Sequence, residues 1–227
     1  MKNILLINVM LLIGGSGIAQ KIEDRNLESF SSVNVFGNIE VQLIKDEKEH
    51  MVINSREIDV SKISSRIDKS ALKISMSKDL FSASKKVTIK LYYKNIVEIN
   101  STGGADIVSE NVFKADKMKF YAASGGNISL SVDLNIIDAS VSEGSVISLD
   151  GNVNYQKVLS KLNGTYDAFE LISDNAVAKA NTGGKIKIYA AKLIDAVART
   201  KGYIGYKGKP GRTNFDSSSG GEIKDVE

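Results

Sequence analysis

One short phrase returns through the second half of this 227-residue chain at a nearly constant interval, and few folds can accommodate it. It reads Ser or Thr, one or two glycines, a variable residue, then a large apolar one. The apolar anchors Ile107, Ile128, Ile147, Tyr166, Ile186, Ile204 and Ile223 follow one another at 21, 19, 19, 20, 18 and 19 residues. A period near twenty with a turn in every unit marks a stacked-repeat architecture, in which each unit buries its apolar side only against its neighbours.

No unit places apolar residues at helical spacing over ten or more positions, so the units are built from strands. Ile128 and Leu130, Ile147 and Leu149, Ile186 and Ile188, and Ile204 and Tyr206 alternate with Asn127, Ser129, Lys185 and Lys187. A period of two sends the first set inward and the second to solvent. Within Ser145 to Leu149, Ile147 rather than Val146 is the inward residue, because that register also buries Leu149. Small residues stand two places before each Ser/Thr, at Ala122, Ser140, Ala180, Ala198 and Ser217, with Ser142 taken as the Ser/Thr of its unit. They predict that opposite walls approach closely. The glycine ahead of each anchor is assigned a positive φ. The fold class is therefore all-β, a parallel solenoid whose six steps would span about 29 Å at roughly 4.8 Å per rung.

Residues 1–19 read as an export signal, with Lys2 as the positive start, Ile4 to Ile13 as the apolar run and Gly17-Ile18-Ala19 as the cleavage site. That run is too short to span a bilayer, and no later segment is long and apolar enough to do so. The chain has no Cys, so neither a disulfide nor a lipoprotein-type acyl anchor is expected. Residues 20–26 form a polar lead-in, and 27–227 a single solenoid domain, irregular over 27–100 and regular over 101–227. Strand alternation is visible in Ile39, Val41 and Leu43, in Leu72, Ile74 and Met76, and in Val87, Ile89 and Leu91. The strand ending at Leu43 and Met51-Val52-Ile53, joined by the charged tip Lys45 to His50, predict a hairpin. Asp59 to Lys69 is read as extended.

The segments Phe30-Ser31-Ser32-Val33-Asn34-Val35-Phe36-Gly37-Asn38-Ile39-Glu40-Val41, Ala71-Leu72-Lys73-Ile74, Lys86-Val87-Thr88-Ile89 and Ile99-Asn100-Ser101-Thr102-Gly103-Gly104 precede repeated Ser-Gly-Gly phrases. In this order they resemble the autotransporter adhesin head GIN domain family, exported bacterial domains of unknown function, from about residue 28 to the end. The resemblance implies a right-handed parallel β-helix similar to the pectin-lyase-like solenoids, a role in adhesion, and no catalytic residues to carry over.

Net charge is +3, or +2 without residues 1–19, which does not suggest a nucleic-acid binder. A polysaccharide hydrolase needs convergent carboxylates, for which Asp133, Asp138 and Asp150 are the candidates. A calcium-assisted lyase would draw on Asp106, Glu110 and Asp116 with Lys114 and Lys117. Neither set recurs at one place in the repeat, and turn aspartates are ordinary. With no Cys and the single His50, no metal site or cofactor is expected. The outward residues before the anchors, Asp106, Asn127, Val146, Thr165, Lys185, Tyr203 and Glu222, form no uniform ladder. A basic group late in the array, Arg199, Lys201, Lys207, Lys209 and Arg212 near Tyr203, is the candidate ligand-binding site for an anionic glycan. The sequence thus points to an exported, non-enzymatic, adhesin-like module binding a surface polysaccharide or envelope protein. The alternatives are a polysaccharide-active β-helix enzyme and a self-assembling envelope scaffold.

Overall fold

The structure, a computed structural model, describes residues 21–56, 58–77 and 86–226; the expected export signal lies outside them. Its strands are β1 (Lys21–Asn26), β2 (Ser32–Phe36), β3 (Ile39–Lys45), β4 (His50–Ser55), β5 (Ile63–Asp68), β6 (Ala71–Met76) and β7 (Val87–Tyr93). The regular part continues with β8 (Glu98–Thr102), β9 (Asp106–Ser109), β10 (Phe113–Ala123), β11 (Asn127–Val141), β12 (Val146–Lys161) and β13 (Thr165–Ala168). It ends with β14 (Leu171–Asn181), β15 (Lys185–Tyr189), β16 (Leu193–Arg199), β17 (Tyr203–Lys207), β18 (Arg212–Ser218) and β19 (Glu222–Asp225).

Parallel pairing from rung to rung makes a β-solenoid of about seven coils. One wall runs in the order β1-β4-β7-β3-β9-β11-β12-β13-β15-β17-β19. The second runs β5-β6-β2-β8-β10-β11-β12-β14-β16-β18, with β11 and β12 long enough to serve both walls. A short third side joins them, where Lys114 pairs with Asp133, Asp133 with Asn152 and Asn152 with Ile172. The anchors pair in unbroken succession from Ile107 to Ile223, as the sequence spacing predicts. Ile128, Ile147, Tyr166, Ile186 and Ile204 are buried, and Val146 faces outward beside Asn127.

The corner ahead of each anchor is a type I′ turn. Gly126 N–H donates to Ala123 O at 3.1 Å across Ser124 and Gly125, whose φ values are 53° and 78°. Glu143-Gly144, Leu162-Asn163, Thr182-Gly183, Thr200-Lys201 and Ser219-Gly220 repeat that left-handed pair. Each turn is tied to the next, with Gly125 N–H donating to Glu143 O at 3.1 Å and Gly183 N–H to Thr200 O at 3.0 Å. The positive φ therefore belongs to the two residues before the glycine that stands two places ahead of the anchor. That glycine permits close approach instead: a Cβ on Gly126 would stand 2.2 Å from Ser101 O, and one on Gly221 2.1 Å from Ala198 O.

Glu143, not Ser142, is the left-handed residue of its unit; Ser142 is buried, and Val141 rather than Ser140 pairs with Ala122. The inward ladder reads Ser101, Ala122, Val141, Ser160, Ala180, Ala198 and Ser217. Its buried serines satisfy themselves on their own turns, Ser101 Oγ donating to Ala105 O and Ser160 Oγ to Gly164 O, both at 2.7 Å. Ser145 Oγ is buried without a partner among the described residues, and nothing in the packing accounts for it.

The N-terminal half departs from the expected hairpin. β7 lies between β3 and β4, parallel to the first and antiparallel to the second. The chain's first rung, β2 with β3, is in turn enclosed between the β6–β7 rung and the β8–β9 rung. Local alternation sets which face of a strand is buried but not which strand lies beside it, so adjacency in sequence misled here. Residues 21–26, expected as a polar lead-in, form edge strand β1, where Arg25 donates to Ile63 O at 2.8 Å and Val60 O at 3.0 Å. Charges along that edge are a common defence against unwanted strand pairing. His50 is not on an exposed tip: its ring stacks on Tyr92 at 4.2 Å, and its Nδ1 lies 2.8 Å from Asp24 Oδ1.

Candidate functional site

The five basic residues singled out in the sequence fall at two ends of one strand. Arg199 closes β16 and Lys201 is the second left-handed residue of the following turn, with φ of 61°. Lys207 closes β17, while Lys209 and Arg212 flank Pro210 beyond it. A five-residue strand of about 16 Å separates the two subsets. Arg199 is already engaged, its guanidinium 2.8 Å from Asp216 Oδ2. Lys207 Nζ lies 3.7 Å from Glu170 Oε1 and 4.9 Å from the Phe169 ring centroid, which fixes it over that face. Lys201, Lys209 and Arg212 are held by no ion pair among the described residues.

Register fills the space between the subsets. Tyr203 pairs with Lys185, Gly205 with Lys187, and Lys207 with Tyr189. Gly205 lies under the Tyr203 side chain, since a Cβ there would come within 2.9 Å of the Tyr203 hydroxyl oxygen. Lys187 is matched by Asp167 at 2.8 Å. The outer face of this wall is thus a basic and aromatic strip in which Tyr203, Tyr189 and Phe169 belong to successive rungs. Counting basic residues alone misses the aromatic part; outward alternation along β15 and β17 is the signal that carries it.

The carboxylate sets do not converge. Asp133 faces out from the third side, 3.6 Å from Lys114, and Asp150 accepts a hydrogen bond from Ser131 Oγ at 3.0 Å. Asp138 stands on the second wall, paired in register with Lys119 and Lys157. Asp106 bridges to Lys86, Glu110 accepts from Gln42 at 3.4 Å, and Asp116 accepts from Asn135. Burial raises the Asp106 pKa but is outweighed by hydrogen bonds from Lys86 and Asn127, which hold it below the ordinary aspartate range. Lys86 is raised by its hydrogen bonds to Asp106 and Glu40. These are the shifts of a structural ion bridge between rungs.

Two polar arrangements escaped the sequence reading. Inside the coil, the Tyr166 hydroxyl donates to Gln156 Oε1 at 2.9 Å, and Gln156 Nε2 donates to Ser173 Oγ at 2.8 Å and Tyr189 O at 3.2 Å. All three side chains are buried, and burial drives the Tyr166 pKa far upward, so it stays a neutral donor. At the corner of the third side, Asn135 Nδ2 donates to Asp116 Oδ1 and Asn154 Nδ2 to Asn135 Oδ1, each at 2.7 Å. The 19-residue recurrence of Asp116, Asn135 and Asn154 was legible, but it lies outside the glycine phrase that defined the repeat.

Solved structures share this architecture. A crystal structure described as a putative adhesin from Bacteroides fragilis superposes with a TM-score of 0.81 at 21% identity, covering 92% of this chain and 97% of that one. A putative adhesin from Parabacteroides merdae gives 0.71 at 18% identity, covering 94% and 98%. A putative lipid binding protein from Parabacteroides distasonis gives 0.68 at 19% identity, covering 92% and 97%. At these identities the likeness shows the fold. No curated protein sequence matches the chain. Residues 29–210 match the family described as "Putative auto-transporter adhesin, head GIN domain", and the chain belongs to that family.

Proposed function

We propose that this chain is a non-enzymatic, exported, adhesin-like module that binds a polysaccharide at the bacterial cell envelope. The observation that carries this reading is the strip along β17, where lysines at both ends flank Tyr203 on a rigid, laddered wall. Ammonium groups attract acidic sugars, aromatic faces take the ring C–H surface, and a scaffold with fixed rungs removes the backbone share of the ordering cost. The dispersed carboxylates favour binding over hydrolysis, because acid and base groups must flank one bond. Export rests on residues 1–19, whose charged start, apolar run and small-residue site fit a cleaved signal. The intact mass of natively secreted protein should begin at Gln20.

Binding of polygalacturonate, an acidic linear polysaccharide, tests the site. It should weaken with added salt, since exposed charges are screened beyond about 8 Å at physiological ionic strength. Replacing Lys207, Lys209 and Arg212 together by Ser should reduce it while leaving the melting temperature nearly unchanged. Equal binding by the triple variant at low and moderate salt would remove the site from consideration.

A further inference from the structure

The third side of the coil carries more than a corner. A depression of about 420 Å³ runs along it from the β10 level to the β14 level. It is a trench parallel to the solenoid axis, crossing four rung levels or about 14 Å.

The lining of this depression is uncharged in effect and rich in hydrogen-bonding groups. Asn135, Asn152 and Asn154 present amides to it. Lys114 is matched by Asp133 at 3.6 Å, and Lys192 by Asp174 at 2.8 Å, so the ionic groups at its rim neutralise each other. Ile172 lies in the trench at 47% exposure, an apolar surface among the amides. Asn152, its neighbour in register, is exposed and has no hydrogen-bond partner among the described residues. The ladder of Asp116, Asn135 and Asn154 fixes the corner at one spacing per rung.

We infer that this trench binds a linear, uncharged polysaccharide lying along the solenoid axis. Planar amides both donate to and accept from sugar hydroxyls, and an apolar side chain covers the C–H face of a ring. An acidic polymer would meet the carboxylates of Asp133 and Asp174 there, whereas a neutral one exchanges hydrogen bonds with them. Repetition at the rung spacing makes successive subsites, so a chain placing one ring per rung would occupy about four of them. This inference rests on the reading of the chain as a glycan-binding module but uses a different side of the molecule from the β17 strip.

The test is calorimetric titration of the full chain with β-linked glucan, β-linked mannan, xylan and α-linked glucan oligosaccharides of two, four and six units. At least one series should bind with affinity rising about tenfold or more from two units to six, with little change between low and high salt. The double variant Asn152→Arg and Ile172→Arg places two bulky cations in the trench at exposed positions. It should weaken the six-unit ligand at least about tenfold with an unchanged melting temperature. Should that variant melt early, Ile172→Lys alone supplies the same readout. Failure of every six-unit ligand to bind at millimolar concentration, affinity independent of length, or equal binding by the folded variants would overturn the inference. The pair Lys207→Ser and Lys209→Ser should leave neutral-glycan binding intact, so loss of polygalacturonate binding alone speaks only to the β17 strip.

Discussion

Three corners carry a glycine pair, Gly125-Gly126, Gly183-Gly184 and Gly220-Gly221, whose two members answer to different physical demands, and substitution separates them. Gly125 has φ of 78° and, for an added Cβ, a nearest neighbour at 3.9 Å, whereas a Cβ on Gly184 would meet Ser160 O at 2.4 Å. Gly125→Asn should therefore cost only a few tenths of a kcal/mol, since Asn enters the left-handed region readily. Gly184→Ala should cost about 1–3 kcal/mol by forcing rungs apart, a finite penalty because Ala105 and Ser145 occupy equivalent corners. Thermal melts that ranked the two the other way would contradict the assignment of close contact. The buried amide network makes a second residue-level case. Gln156→Leu strands the Tyr166 hydroxyl in the core and should cost about 1–3 kcal/mol, and adding Tyr166→Phe should recover most of it. A double-mutant cycle read by chemical denaturation measures that coupling directly.

Between elements, the decisive contact is Lys86, whose Nζ lies 2.8 Å from Glu40 Oε2 on β3 and 2.7 Å from Asp106 Oδ2 on β9. It enters from the start of β7 and ties together three strands whose order the sequence does not disclose. The depressed Asp106 pKa stabilises the fold above the aspartate value of the unfolded chain, and that stabilisation is lost as pH falls through the folded value. The raised Lys86 pKa acts at the other end, fully present below the unfolded lysine value and lost as pH rises through the folded one. Melting temperature should thus fall between pH 6 and pH 3 more steeply in the wild type than in Asp106→Asn, with high salt narrowing the gap because the pair is partly exposed. The same contrast explains what was legible. Anchor spacing disclosed the regular rungs because each pairs with the next in sequence, and period two chose Ile147 over Val146. It could not disclose that β7 inserts between β3 and β4, since any of several Val- and Ile-rich strands satisfies the same inward face. At the sites, charge made the basic group visible, while the aromatic strip and the asparagine corner appear only once rungs stack side chains that are eighteen or more residues apart.

Across the molecule, stability should be graded along the axis, because each coil is held chiefly by the coils on either side. The rung of β2 and β3 is enclosed by later segments, β6–β7 and β8–β9, so it cannot complete its hydrogen bonds until the whole stretch from Ser32 to Ser109 has come together. Such non-local closure implies slow folding. The far end is built differently. Every residue of β18 is exposed, and the positions in register with inward Ile194 and Ala198 are Thr213 and Ser217. Polar substitution toward the interior is what a terminal repeat needs in water, though Phe215 stays 43% exposed against Tyr206. Native-state hydrogen exchange should find the amides of β18 and β19 opening first, with free energies near those of fraying segments. Those of β3, β11 and β12 should exchange only through global unfolding, since they have paired strands on both sides and buried inward residues. Ile186→Asp, which puts an unpaired carboxylate at a fully buried anchor, should collapse this gradient and cost several kcal/mol, whereas Lys185→Asp on the outer face should leave it in place. Uniform protection from β3 to β19 in the wild type would show instead that the coils unfold as one cooperative unit and that nearest-neighbour stacking is the wrong description of this solenoid.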